Sequence, residues 1–237
     1  MRTVTGAFDH AGEPRATSDA VVFTGWLGAN DDGDTDVFLA RAAGGLAELV
    51  AGGAGQQRFA DVSETHVALS DFSEDPDGVY SGDGTSPSDL VVIERANGSV
   101  QRKQAPGKQA FPLLGVSGRV IFLEWIGVHP VPKFQEYTLR ALELRALDAE
   151  PVTLASVKSD RPTVRPVARA GFVEWVERQV DTASRLYRAE LDRPGAPMTV
   201  SGLDGLELFA PAASNTTTII AVQPLGGGAP TLRAVGR

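Results

Sequence analysis

The chain has 237 residues, no cysteine, 26 glycines and 15 prolines, and its 30 acidic and 22 basic side chains give a formal charge of −8. Disulfides, thiolate metal sites and a cysteine nucleophile are therefore excluded, and the acidic balance argues against non-specific binding to nucleic acid or anionic lipid. No apolar run approaches the roughly 20 residues of a membrane span, so no membrane insertion is expected.

The N-terminus, MRTVTGAFDHAGEP, lacks the apolar core of a signal peptide. As it stands the sequence suits the cytoplasm; a secreted or periplasmic location would require that a leader had been removed. From Arg2 onward the chain is punctuated at a regular interval. A stretch that ends in a β-branched and aromatic run recurs five times: PRATSDAVVFTGW (14–26), FADVSETHVALSDF (59–72), PLLGVSGRVIFLEW (112–125), PTVRPVARAGFVEW (162–175) and APAASNTTTIIAVQ (210–223). A second alternating run follows each: 36–42, 89–95, 138–144, 184–191 and 231–237. After four of these a Gly, Pro or Asp turn leads to one more strand-like segment, LAELVAG, SVQRKQA, PVTLASV and PMTVSGL. Each unit therefore reads as four short strands.

The anchors Phe23, Leu69, Phe122, Phe172 and Ile220 lie 46, 53, 50 and 48 residues apart. Such a period signals a repeat architecture. The last unit has three strands, and Arg2-Thr3-Val4-Thr5-Gly6 matches Met198-Thr199-Val200-Ser201-Gly202 of the fourth unit. The expected fold is thus all-β: a single five-bladed β-propeller over 1–237, built of four-stranded antiparallel blades and closed by the N-terminal strand pairing into the last blade. Blades are expected at about 7–52, 53–105, 106–157, 158–202, and 203–237 with 1–6. LRALELRALDAE (139–150) favours helix by propensity alone, but its repeat position makes it the third strand of blade three.

The unit resembles the TolB-like propeller repeat, a relative of the WD-repeat propellers. Pro14, Pro112 and Pro162 hold that repeat's proline position, Asp19 and Gly118 match parts of its Asp-Gly position, and Gly33-Asp34-Thr35-Asp36-Val37-Phe38 matches its turn and strand. Its tryptophan position is filled here by Ala16, Asp61, Leu114 and Val164. The resemblance implies a propeller that serves as an interaction platform or as a partner domain gating an enzyme.

In a propeller the loops entering each inner strand and those joining second to third strands share one face. Entering loops at 6–13, 52–58, 105–110, 157–161 and 202–207 place His10, Glu13, Gln57, Arg58, Lys108, Gln109, Asp160, Arg161, Asp204 and Glu207 around that channel mouth as candidate ligand-binding residues. Charge is segregated: residues 27–89 carry 13 acids and two arginines, against a slightly basic 90–237. Most of the acids cluster in the second-to-third-strand loops of blades one and two, where ordinary Asp-Gly turns, a calcium loop and a docking surface for a basic partner are the alternatives. Within them Asp32, Asp34 and Asp36 alternate as calcium ligands do, although the full spacing of a calcium loop is absent; no other cofactor is implied.

Three functional readings compete. The leading one is a non-catalytic module that presents its polar loop face to a protein or peptide partner. A glycoside hydrolase would need two carboxylates across a sugar, for which Glu13, Asp61 and Glu207 are the candidates. A lectin could stack sugars on Trp26, Trp125 and Trp175, which are otherwise expected to pack between blades. His10, His66 and His129 show no metal-ligand spacing, and the loop 127–137 is long enough to form a contact surface. Oligomeric state is left open by the sequence.

Overall fold

The protein is described from a computed structural model over residues 8–28, 33–75, 86–116, 118–125, 135–159, 165–169, 171–177, 184–193, 195–209, 211–214 and 216–236. The alternating runs form five antiparallel sheets, and no helix occurs among the described residues. Blade one consists of β1 (His10–Ala16), β2 (Ala20–Trp26), β3 (Thr35–Arg41) and β4 (Glu48–Ala51). Blade two consists of β5 (Gln57–Val62), β6 (His66–Asp71), β7 (Asp89–Glu94) and β8 (Val100–Lys103). Blade three holds β9 (Lys108–Val116), β10 (Arg119–Trp125), β11 (Gln135–Glu143) and β12 (Val152–Ser159), and blade four holds β13 (Val167–Arg169), β14 (Phe172–Glu177), β15 (Arg185–Glu190) and β16 (Met198–Thr199). In all four, neighbours in sequence are neighbours in space.

The fifth sheet contains β17 (Leu206–Leu208), β18 (Ala212–Ala213), β19 (Thr218–Pro224) and β20 (Thr231–Val235). Both β17 and β18 pair along one edge of β19 while β20 takes the other, so the two short segments together fill the innermost lane. The outer lane expected for Arg2–Gly6 belongs to residues outside the described ones.

The second strands are near-continuous apolar runs because blades stack face to face and bury both sides of the sheet. Val120, Ile121, Phe122 and Leu123 of β10 are all fully enclosed, as are Leu69 and Val22 at equivalent places. Trp125 and Trp175 lie in the core between blades, as expected, together with Phe72, whereas Trp26 is only partly buried; Trp175 stacks on Tyr187 at 5.9 Å. The helix-prone segment 139–150 continues β11 as far as Glu143 and then turns through 144–150; pairing along both edges of β11 overrides its local preference.

One difference from the expected layout matters for the site. The inner strands begin earlier than the sequence pattern suggests, so His10, Glu13, Gln57, Arg58, Lys108 and Gln109 lie within β1, β5 and β9 and not in entering loops. The cause is a bulge repeated in three successive blades. Glu13, Phe59 and Phe111 occupy it with φ near +55°, and the register with the second strand slips there each time. A bulge inserts an extra residue and breaks alternation, and a proline follows it in blades one and three, so these strands do not look like strands in sequence.

Candidate functional site in the central channel

Each inner strand ends in a tight turn to the second strand, and these turns are specified locally. Thr17 Oγ1 accepts from Ala20 N (3.2 Å), Ser63 Oγ from His66 N (3.0 Å) and Ser214 Oγ from Thr217 N (3.2 Å), the same hydroxyl-capped turn in blades one, two and five. Blades three and four instead turn at Gly118 and Gly171, whose φ values of +75° and +80° suit glycine.

These turns and the strand ends before them ring a cavity of about 830 Å³. All five blades contribute: residues 14–18, 61–65, 113–114 with 118–119, 167–169 and 212–214. The cavity therefore opens at the end of the channel opposite the loops in which the sequence placed the candidate mouth.

Charged side chains tie the blades together along the channel wall. The Glu13 carboxylate accepts from Arg58 Nη2 (2.8 Å), from the Phe59 N–H (2.9 Å) and from the Thr24 hydroxyl (2.9 Å), which clamps blade one to blade two. Asp61 accepts from the Leu114 N–H at 2.7 Å, joining blade two to blade three. Arg165 crosses the channel and donates through Nη2 to the carbonyls of Ala60 (2.7 Å) and Phe59 (3.3 Å). Between blades four and five the fully buried Glu174 accepts from Arg169, Arg188 and the Thr218 hydroxyl.

The electrostatics of this wall are unusual for an acidic protein. Asp61 touches the channel but is surrounded by protein, and burial raises its pKa despite the nearby charges of Arg165 and Arg15. Burial, helped by the charge of Arg15, lowers Arg165 to about 10. The Nε atoms of Arg15, Arg165 and Arg169 are buried without a hydrogen-bond partner. Arg15 forms no hydrogen bond or close ion pair with any described residue and lines the cavity. The channel wall thus carries guanidinium N–H donors with no partner among the described residues.

The opposite face holds the other residues singled out in the sequence. Gln57, Lys108 and Gln109 are buried where blades join: the Gln57 carbonyl accepts from Thr35 Oγ1 (3.3 Å), and the Gln109 carbonyl from Ser88 Oγ (2.9 Å). His10 is exposed and stacks on Trp26, with ring centroids 5.9 Å apart. Glu207 lies on β17 opposite Gln223, far along the chain from the Glu13 clamp, and Asp204 is exposed in the preceding turn. Arg161, Asp160, His129 and Asp32 lie outside the described residues, as does most of the loop 127–137. Asp34 accepts from the Gly55 N–H at 2.9 Å, and Asp36 from that of Gly53. Both carboxylates therefore cap the loop that enters blade two, and burial raises the pKa of Asp36.

The sequence singled out neither Arg15, Arg165 nor Arg169. A signal for Arg15 was present: it shares a repeat position with Asp61, two residues beyond the bulge. Finding it required the bulge to be placed first.

No protein-family model and no curated protein sequence matches the chain. Its fold recurs among solved structures. TolB from Acinetobacter baumannii is similar with a TM-score of 0.58 at 9% identity, over 96% of this chain and 55% of that one. Pyrococcus horikoshii acylaminoacyl peptidase gives 0.61 at 8% identity, over 97% of this chain and 38% of that one. The propeller domain of the Trilobed protease from Pyrococcus furiosus, described as having an open velcro topology, gives 0.61 at 7% identity over 98% and 70%. The chain thus has the TolB-like propeller fold, and it spans about half of TolB and little more than a third of the peptidase.

These neighbours conflict with the expected reading of the protein as a non-catalytic binding module, because most of those named are peptidases in which the matched propeller is one part. Of the carboxylates a glycoside hydrolase would use, Glu13 and Asp61 are engaged by backbone N–H groups of the next blade, and of the tryptophans a lectin would use, Trp125 and Trp175 are sealed in the core.

Proposed function

We propose that this chain is the propeller part of a peptide-hydrolysing protein, and that its channel receives polypeptide from the face of the first-to-second-strand turns. The observation that carries this reading is the cavity of about 830 Å³ built by all five blades. Its size lies within the roughly 300–1,000 Å³ of small-ligand sites, room for a chain end or short peptide but not for a folded protein. It is lined by hydroxyl and charged residues, among them Thr17, Ser63, Ser214, Arg15 and Asp61, which suits the amides and the charged end of a peptide. The peptidases that share the fold agree with this use.

Hydrolysis itself is assigned to a catalytic part, in the same polypeptide or docked to it. Neither histidine among the described residues is placed to activate a serine: His66 Nδ1 lies 2.8 Å from Thr65 Oγ1, and His10 packs on Trp26. Glu13, Asp61 and Glu174 are occupied in holding blades together.

The test is to isolate the protein from its source at native abundance and assay fluorogenic N-acyl di- and tripeptides across a gel-filtration profile. Peptide hydrolysis should travel with the chain. Chain-containing fractions with no hydrolysis of any such peptide would overturn the proposal.

A further inference from the structure

We infer that Arg15 is the receptor for the terminal carboxylate of a peptide held in the channel. The inference rests on the reading of the channel as a peptide site, and deepens it by naming the chemical group that is anchored.

Arg15 and Arg165 stand near Asp61, and Arg58 pairs with Glu13. Of these three guanidiniums, one is without a partner among the described residues. Arg58 is committed to Glu13 through Nη2 and Nε, and Arg165 spends Nη2 on the Phe59 and Ala60 carbonyls. Arg15 has no hydrogen bond to any described residue, its Nε is buried, and it lines the cavity. The Arg15 guanidinium is partly buried, with Nε shielded from solvent and the rest of the group at the cavity, so an anion that joined it would pair with a partly desolvated cation.

The planar fork of a guanidinium fits a carboxylate through two parallel N–H donors. A phosphate dianion would be repelled more strongly than a monoanion by Asp61 and Glu64, which line the same cavity. The cavity of about 830 Å³ around Arg15 also has room for the residues that accompany a terminal carboxylate.

The geometry assigns opposite effects to two neighbouring residues. Losing Arg15 removes the anchor. Losing the charge of Asp61 leaves more uncompensated positive charge beside the ligand, and asparagine keeps an acceptor for the Leu114 N–H. Arg15→Gln and Asp61→Asn should therefore move affinity in opposite directions.

The probes are an N-terminally fluorescein-labelled Gly-Ala-Leu tripeptide as the free acid and as the C-terminal amide, followed by fluorescence anisotropy, with acetate and inorganic phosphate as competitors. The acid should bind at least about tenfold more tightly than the amide, as loss of a charge-assisted bidentate pair implies. Arg15→Gln should abolish that difference, Arg15→Lys should restore part of it, and Asp61→Asn should tighten binding of the acid by about threefold or more. Acid and amide binding equally well would overturn the carboxylate anchor while leaving the channel as a peptide site. Failure of both to bind would overturn the anchor as well, and the hydrolysis assay above then decides the wider reading separately. Competition by phosphate at lower concentrations than acetate would make this a phosphate site and also overturn the inference. Because Arg15 bonds to no described residue, Arg15→Gln should melt where the parent does; if it fails to fold, an unchanged affinity in Asp61→Asn still refutes the charge argument.

Discussion

Replacing Glu13 by alanine should loosen the junction between blades one and two, and the size of the effect can be worked out from its contacts. One carboxylate accepts from the Arg58 guanidinium, the Phe59 N–H and the Thr24 hydroxyl, all at 2.8 or 2.9 Å. The Arg58 and Glu13 side chains are only 14% and 18% exposed, so solvent replaces little of what is lost. Breaking a buried pair by deleting one partner costs about 3–5 kcal/mol, and the residual exposure of this one places it near the lower end, about 3 kcal/mol. Glu13→Gln keeps an acceptor for Phe59 and Thr24 but drops the charge, and should cost about 1–1.5 kcal/mol. Part of any loss in Glu13→Gly should be recovered, because Glu13 sits at φ 55° and glycine relieves about 1 kcal/mol there. Urea unfolding monitored by tryptophan fluorescence measures each variant, and a cycle with Arg58→Met should return a coupling of about 1–3 kcal/mol. A loss below about 1 kcal/mol for Glu13→Ala, or additivity with Arg58→Met, would refute the clamp.

Three further outcomes are expected. Arg95 bonds Asp19 at 2.7 Å and holds its pKa near about 2, below the ordinary 3.8, so this pair stabilises the fold above pH 3.8 and is lost as pH falls through about 2; the Tm advantage of the parent over Asp19→Asn should shrink across that window, and a constant difference would contradict the assignment. Trp175→Phe preserves the stack on Tyr187 but removes the indole N–H that donates to Glu177 at 3.0 Å; it should cost about 2–3 kcal/mol in thermal or urea unfolding, and a change under about 1 kcal/mol would count against that bond. For the closure expected from the sequence, Val4→Cys combined in turn with Leu232→Cys, Arg233→Cys or Ala234→Cys creates the only two thiols in the chain. One of the three pairs should oxidise to an intramolecular disulfide, and none doing so would mean that Arg2–Gly6 does not lie beside β20.

What could be foreseen from the sequence follows from how each feature is encoded. The five units were legible because Phe23, Leu69, Phe122, Phe172 and Ile220 mark doubly buried second strands, and burial on both faces demands an unbroken apolar run whatever the neighbours do. The inner strands were not, because the left-handed residues Glu13, Phe59 and Phe111 interrupt the alternation by which a strand is recognised. That one irregularity moved Gln57, Lys108 and Gln109 from a supposed loop into buried strand positions. It also concealed Arg15 and gave no hint that the cavity opens at the turns around Thr17, Ser63 and Ser214. Within the acidic stretch 27–89, Asp34 and Asp36 serve the loop at 53–55, a role that composition alone does not reveal, and the partnerless guanidinium of Arg15 in the described channel carries no compositional signal.

The channel reading meets its most direct test in photo-crosslinking. A short peptide with a free carboxylate and a benzophenone side chain would be irradiated with the protein, and the adducts mapped by mass spectrometry. Labelling should concentrate on residues 17–18, 63–65 and 118–119 at the open end of the cavity and should diminish in Arg15→Gln. Labelling confined to residues 53–55 and 105–107 on the opposite face, indifferent to Arg15, would contradict it.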